Sequence, residues 1–400
     1  MEDTKVITNK IIEEDNLNIL NTYKRFNVVL KEGKGATLKD YEGKEYIDFS
    51  SGIGTNSFGA CDKEWVDAVV KQASTLQHSS NLYYTEPQVL VAKLLCEKTG
   101  MKKVFFGNSG AEANECAIKT ARKYSYDKYG SGRSEIITLV NSFHGRTIAT
   151  LSATGQDVFH QWFYPFVGDF KYCPASDIDA LKGLISDKTC AIMIETVQGE
   201  GGVVALDPEF IKYIDKVCKE KDILFIVDEV QTGNGRTGYL YSYMEYDVHP
   251  NIVTTAKGLA GGLPFAAILF DEKTENTLSY GQHGTTFGGN PVCAAASLSV
   301  LKRIDDDLLN HVKECRKIIE DRLKDVKEVI SISGKGLMVG LELKDGLKAV
   351  DVATKCMENG LIPLTAKTKI RLLPPLNITF EELNKGLDIL IQVLMSSRIL

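Results

Sequence analysis

Lys257 and the neighbouring acids Asp228 and Glu229 are the residues of this chain best placed to do chemistry together. Each closes a short apolar run: LFIVDE at 224–229 and NIVTTAK at 251–257. Runs of this kind, rich in β-branched residues, read as buried parallel strands. Ligands of open α/β sheets bind outside the carboxyl ends of the strands. The amine and the carboxylate are therefore expected in one crevice. Desolvation there frees a lysine amine for imine chemistry, and an aspartate is the partner a pyridinium nitrogen needs. Together they suggest pyridoxal 5'-phosphate. Two plainer readings stand beside this one. A lone lysine after a strand is more often a solvated loop residue. An apolar strand ending in Asp-Glu also suits a Walker-type nucleotide hydrolase, but the glycine-rich loop ending in Gly-Lys-Ser/Thr that such an enzyme needs is missing from the sequence.

A phosphate has an expected place too. FFGNSGAEANE at 105–115 reads as a strand, a tight polar turn and a helix start. Free N–H groups and the helix dipole at Asn108, Ser109 and Gly110 suit an anion. The same residues satisfy a capping box, Ser109 with Glu112, and that reading needs no ligand. The glycine-flanked loop HGTTFGGNP adds two hydroxyls, Thr285 and Thr286.

The elements that must position these residues follow from periodicity. Six candidate strands, KVFFG, EIITLV, CAIMIE, LFIVDE, IVTTA and AAILF, lie between 103 and 270, with amphipathic helical stretches between several of them. That alternation predicts an α/β fold with a mostly parallel central sheet flanked by helices. Before it, an alternating segment with turn glycines reads as a small meander. After it, helices and strands mix as in a smaller α+β domain. The expected division is 1–60 packing with the small domain, 61–290 as the large cofactor-binding domain and 291–400 as the C-terminal small domain.

Composition narrows the rest. A net charge of −6 argues against nucleic-acid binding. No apolar run reaches the roughly 18 residues of a membrane helix, and the polar, acidic N-terminus suits neither a signal nor a transit peptide. The nine cysteines are scattered without a C-x-x-C pair, and the six histidines without a zinc frame, so a reducing cytoplasm and no metal are expected.

Taken in order, SNLYYTEPQ, FFGNSGAEANE, SFHGRT, ETVQGEGGV, IVDEVQTGNGRTG, TTAKGLAGGLP, HGTTFGGNP and IRLLPPL make the chain resemble class III (ornithine-type) aminotransferases of pyridoxal-phosphate fold type I. The likeness runs over about residues 20–395 and leans to the acetylornithine branch. It implies a lysine, Lys257, bonded to the cofactor aldehyde and shuttling the proton, and Asp228 on the ring nitrogen, with Glu229 beside it in the cofactor site. It places Val230 and Phe143 on the two ring faces and Gln231 at the ring hydroxyl. Ser109, Gly110 and Ala111 take the phosphate, helped by Thr286 of a neighbouring subunit, so a homodimer with shared active sites is implied. Arg146 and Arg371 match carboxylate-binding positions, and two guanidinium forks suit 2-oxoglutarate or glutamate. Glu200 matches a carboxylate that masks Arg371 when a donor without a second carboxylate binds. Glu195 helps fix that network, and Thr285 resembles a contact to the acylated substrate.

The implied reaction is transamination of N2-acetyl-L-ornithine with 2-oxoglutarate in arginine biosynthesis. Ornithine aminotransferases carry a tyrosine where this chain has Ile53, and an apolar residue leaves a free ammonium unpaired, a cost of roughly 1–3 kcal/mol. Same-fold alternatives are aminotransferases for succinyl-ornithine, succinyl-diaminopimelate, ornithine, 4-aminobutyrate or a carrier-bound lysine. A non-catalytic cofactor-binding regulator and a nucleotide hydrolase are the alternatives of other classes. The chain departs from the family pattern at Ala60, Ala111 and Asn234, which touches substrate tuning rather than the Lys257–Asp228 pair.

Overall fold

The structure, a computed structural model, describes residues 4–396. At its centre is a seven-stranded sheet in the order Lys103–Gly107, Ala266–Phe270, Ile252–Thr255, Leu224–Asp228, Thr189–Ile194, Glu135–Leu139, Phe170–Cys173. All but one of these strands run parallel. Ala266–Phe270 is antiparallel to both neighbours. Period-two alternation sends each strand's side chains to opposite faces. Leu224 and Ile226 pack with Ala113, Cys116 and Ala117 of the helix Gly110–Tyr129 on one face. Phe225 and Val227 pack on the other face with Ile211 and Ile214 of the helix Pro208–Lys221.

The six expected strands are present. The seventh, Phe170–Cys173, was not read from the sequence. It lies at the sheet edge, pairs on one side only and is mostly half-buried, so its FKYC lacks the apolar run that marks a central strand.

A second core gathers the helices Asp306–Leu323, Ala349–Glu358 and Phe380–Ser396 with an antiparallel sheet that contains Met338–Leu343 and Lys369–Leu372. The N-terminal meander, Leu30–Lys34, Thr37–Asp40 and Glu45–Asp48, joins this unit: Glu45–Asp48 pairs in parallel with Leu361–Ile362, and Ala36, Ile47 and Phe49 enter its core. The helix Pro291–Leu301, expected with the C-terminal domain, packs instead in the large core through Ala294, Ala296, Val300 and Leu301. Its run of small residues lets it lie close against neighbouring helices, and the change of core falls near Asp305 rather than at 291.

Candidate active site

Five strand ends meet on one crevice. Lys257 follows directly on Ile252–Thr255 and its upstream neighbour Ala256, and it adopts φ 45°, the left-handed region that costs a non-glycine residue about 1–2 kcal/mol. Neighbouring groups hold that conformation. Asn234 Nδ2 donates to Thr255 Oγ1 and the Ala256 carbonyl at 3.0 and 3.1 Å. Ser57 Oγ donates to the Gly258 carbonyl at 2.9 Å, and Trp65 Nε1 to that of Ala260 at 2.9 Å. Among the described residues no hydrogen bond or ion pair holds the lysine Nζ. Burial pulls its pKa down, opposed by Glu200, aided by Arg371 and opposed again by Asp228 and Glu195; the net direction is downward. The amine is thus both unengaged and easier to deprotonate than a surface lysine.

Asp228, the last residue of its strand, is tied on both oxygens. Oδ1 accepts from the Val230 N–H at 3.0 Å, while Oδ2 accepts from Asn114 Nδ2 at 2.7 Å and meets His144 Nδ1 at 2.8 Å. Asn114 is itself oriented, since its Oδ1 accepts from Thr254 Oγ1 at 2.7 Å. Burial disfavours a charge on His144, yet the hydrogen bond and charge of Asp228, with the charge of Glu195, outweigh it and raise the imidazole pKa. Behind it Glu195 accepts from the Phe143 N–H at 3.0 Å. Burial, eased by His144 and reinforced by Asp228, pushes the Glu195 pKa up to about 7. His144, Asn114 and Thr254 were not singled out in the sequence. They come from three separate segments, and no spacing links them before folding. The only available hint was that His144 adjoins Phe143 in SFHGRT.

The crevice is a cavity of about 430 Å³, with Lys257, Asp228, Val230, Phe143, Gln231 and Arg146 in its wall together with the turn 108–111. Ser109 caps the helix Gly110–Tyr129, accepting from the Glu112 N–H at 3.2 Å. The Glu112 carboxylate reaches back to the Asn108 N–H at 2.7 Å, so the cap is real, and the helix N-terminus still borders the cavity. Gly110 is required by close approach: a Cβ there would lie 2.7 Å from Val230 Cγ1.

Arg371 and Glu200 stand behind Gln231. Arg371 Nη1 donates to Glu200 Oε1 at 2.6 Å and to Gln231 Oε1 at 3.1 Å, and Gln231 Nε2 donates to Glu200 at 3.2 Å. Burial would raise the Glu200 pKa, but the charge and hydrogen bond of Arg371 win and lower it. Arg146 is exposed, its guanidinium lying over the rings of Phe159 at 4.1 Å and Phe143 at 5.6 Å.

Besides Arg371 and Glu200, three expected residues lie off the cavity wall. Glu229 does not line the cavity. Alternation along the chain turns it to the far side, where it accepts from Thr232 Oγ1 at 2.6 Å and the Tyr243 N–H at 2.8 Å. Thr285 bonds Asn108 Nδ2 at 3.1 Å from behind the wall, and Thr286 is exposed outside this chain's own cavity.

Glu229 carries a pH signature. Burial pushes its pKa up to about 7, against the N–H and O–H donors that lower it. The native state then binds the proton more tightly than the unfolded chain. Its contribution is full below about pH 4.5 and is lost as pH rises through about 7. Glu229→Gln should remove that loss. Relative to the parent, its thermal stability should gain roughly 1–3 kcal/mol between pH 5 and pH 8. An unchanged difference across that range would show that Glu229 is already ionised.

A strand-end amine, a strand-end carboxylate and a helix N-terminus around one cavity define an enzyme that handles amino groups through a phosphorylated carbonyl cofactor. The chain matches the family described as aminotransferase class-III over residues 19–394. It is 50% identical to the acetylornithine aminotransferase of Haemophilus ducreyi, covering 94% of this chain and 96% of the relative, and 45% identical to that of Methanocaldococcus jannaschii, covering 94% and 95%. Among solved structures it resembles the ornithine aminotransferase of Toxoplasma gondii, whose active site is described with partial occupancy of pyridoxal phosphate, at TM-score 0.93 and 31% identity over 97% of this chain and 94% of that one. It also resembles the acetylornithine aminotransferase of Elizabethkingia anophelis, at TM-score 0.87 and 31% identity over 97% and 99%. The chain belongs to the class III aminotransferases.

The residues present fit pyridoxal 5'-phosphate. Its aldehyde needs an unengaged amine, its ring nitrogen an oriented anion and its phosphate a helix N-terminus, and all three border the same cavity.

Proposed function

We propose that the chain moves the δ-amino group of N2-acetyl-L-ornithine to 2-oxoglutarate, leaving N-acetyl-L-glutamate 5-semialdehyde and L-glutamate, as a step of arginine biosynthesis. The observation that carries this reading is the pair of buried Arg371 and half-buried Glu200, closed at 2.6 Å next to the amine-bearing cavity. Closed, the pair presents little net charge to a donor with a single carboxylate. Opened, it offers Arg371 to the second carboxylate of the keto acid, while Arg146 serves the first. The names of the relatives at 45–50% identity support the acetylated donor.

Pyridoxal 5'-phosphate, when bound, supplies an aldehyde for the amino group and a ring that draws electrons from the adjoining carbon. The chain does the rest. Lys257 Nζ holds and returns the proton at the amine-bearing carbon of each substrate. Asp228, fixed by Asn114 and His144, sets a carboxylate against the ring nitrogen. Val230 and Phe143 would bound the ring faces, Gln231 would lie toward the ring hydroxyl, and Ser109, Gly110 and Ala111 would hold the phosphate.

The partner is a second copy of the chain. Leu82 and Tyr84, 87% and 100% exposed, adjoin the loop that carries Thr286, because Asn81 Nδ2 donates to the Thr285 and Gly288 carbonyls at 3.2 and 2.9 Å. Clustered exposed apolar residues of this kind mark interaction surfaces. Covering them with a second subunit would bring Thr286 to that subunit's cofactor. Among the described residues no helix is long and apolar enough to cross a membrane, and a cytoplasmic site of action fits the pathway.

A stopped-flow screen of single half-reactions tests the substrate. N2-acetyl-L-ornithine should bleach the bound-cofactor absorbance fastest among acetylornithine, succinyl-ornithine, succinyl-diaminopimelate, ornithine and 4-aminobutyrate. A faster rival would replace it. Ile53 gives a second check. It sits in the left-handed turn Ser51–Gly54 at φ 66°, two residues before Thr55 in the cavity wall. Ile53→Tyr should raise the ornithine rate relative to acetylornithine by about tenfold, by offering a free ammonium a hydrogen-bond partner.

A further inference from the structure

Arg236 is a buried cation at the junction of the two units, 3% exposed, and the chemistry above does not use it. It belongs to the loop that follows the strand Leu224–Asp228, five residues after Gln231. Its Nη1 donates to the Leu337 carbonyl at 3.2 Å and also to the Pro374 carbonyl. Its own carbonyl accepts from the Leu337 N–H at 2.9 Å. Leu337 immediately precedes the strand Met338–Leu343, and Pro374 lies just beyond Lys369–Leu372. Those two strands are paired, with Gly340 opposite Arg371. One guanidinium thus grips both strands around the substrate arginine.

The charge that accompanies Arg236 is Asp48, 2% exposed, whose carboxylate accepts from the Ser50 and Ser51 N–H groups at 2.8 and 2.9 Å. Asp48 belongs to the strand paired with Leu361–Ile362 and leads into the left-handed turn Ser51–Gly54. Burial works against the guanidinium charge and Asp48 supports it, so the pKa falls to about 10 and the group stays charged at neutral pH. Gly336, at φ 51°, lets the backbones meet: a Cβ there would lie 2.6 Å from the Arg236 carbonyl oxygen. A buried charge kept at a junction is costly and is a weak reason for stability alone.

We infer that Arg236, backed by Asp48, is a positioning residue that seats the Arg371 strand on the Gln231 loop and so sets the enzyme's affinity for the dicarboxylate substrate. It does not line the cavity. It acts through the spacing of Arg371, Gln231 and Glu200, whereas Lys257 and Asp228 are held by other contacts. Loosening the seat should therefore affect the second half-reaction and largely spare the first.

This rests on the two-substrate reading proposed above, and the experiment separates the two. Holoenzyme of the parent, of Arg236→Lys and of the double variant Asp48→Asn/Arg236→Met would be followed in each half-reaction by rapid mixing. The double variant removes both buried charges together, so neither is left uncompensated. In both variants the donor half-reaction should stay within about threefold of the parent, while the KM for 2-oxoglutarate rises about tenfold, as expected for a small displacement of a binding group. An equal fall in both half-reactions, a double variant that cannot retain cofactor, or an unchanged KM would each overturn the inference. A parent enzyme inert toward every amino donor and 2-oxoglutarate would instead overturn the functional reading, and this inference with it.

Discussion

Replacing Lys257 with alanine is expected to lower transamination by about 10⁴-fold or more, because one side chain supplies both the covalent anchor and the travelling proton. Glutamate formation from the amino donor measures it, with the bound-cofactor absorbance as a second readout. The fold should survive, since no hydrogen bond from the lysine Nζ to another described residue is lost. The strained backbone at φ 45° adds an internal control. Glycine adopts that conformation freely, so Lys257→Gly should be equally inactive yet more heat-stable than Lys257→Ala by about 1 kcal/mol. An alanine variant that turns over at more than a tenth of the parent rate would end the assignment of Lys257.

The second large effect is expected at the Arg371–Glu200 pair. Arg371→Met removes the buried cation and leaves the half-buried Glu200 beside Gln231 without its counter-charge. The kcat/KM for 2-oxoglutarate should fall about 100-fold, in line with truncating one member of a buried charge pair. The donor half-reaction should change far less, because the closed pair only screens that substrate. Glu200→Gln tests the other direction. It leaves Arg371 unmasked, so discrimination between a monocarboxylate donor and glutamate should shrink by about tenfold. The pH dependence follows from the lowered Glu200 pKa. A depressed carboxyl pKa means that the paired form is present at neutral pH and is lost only as pH falls through that lowered value. The relative rates of the two half-reactions should therefore stay flat between about pH 6 and pH 9 as far as Glu200 is concerned. A steep change within that window would assign the gate to another group.

Much of this site was legible before folding because its principal groups stand at the ends of strands. Lys257 and Asp228 each close an apolar β-branched run, and the parallel pairing of the two neighbouring strands carries both to the same end of the sheet. Ser109 and Gly110 were legible for a similar reason, as the start of a helix. Glu229 was misread because proximity in sequence is not proximity in space: one residue past Asp228 the chain faces the other way and the side chain finds Thr232. The brace around Asp228 was invisible because Asn114, His144 and Thr254 meet only across the folded sheet. The left-handed turn was also invisible. Ser51 and Ile53 carry no local sign of positive φ, and surrounding structure imposes it. The strand Phe170–Cys173 escaped because an edge strand needs little apolar surface, and Pro291–Leu301 because small residues suit either core.

The reversed strand Ala266–Phe270 has an entropic consequence. Its direction means that the chain leaving Thr255 returns into the sheet at the same end, beside the strand it has just left. The segment from Ala256 to Phe265 is therefore a short tether, fixed at both ends by paired backbone, and much of it forms the cavity wall. Closing so short a loop costs little chain entropy. The hairpin thus keeps Lys257 close to its working place, and Asn234, Ser57 and Trp65, arriving from outside it, fix the final conformation.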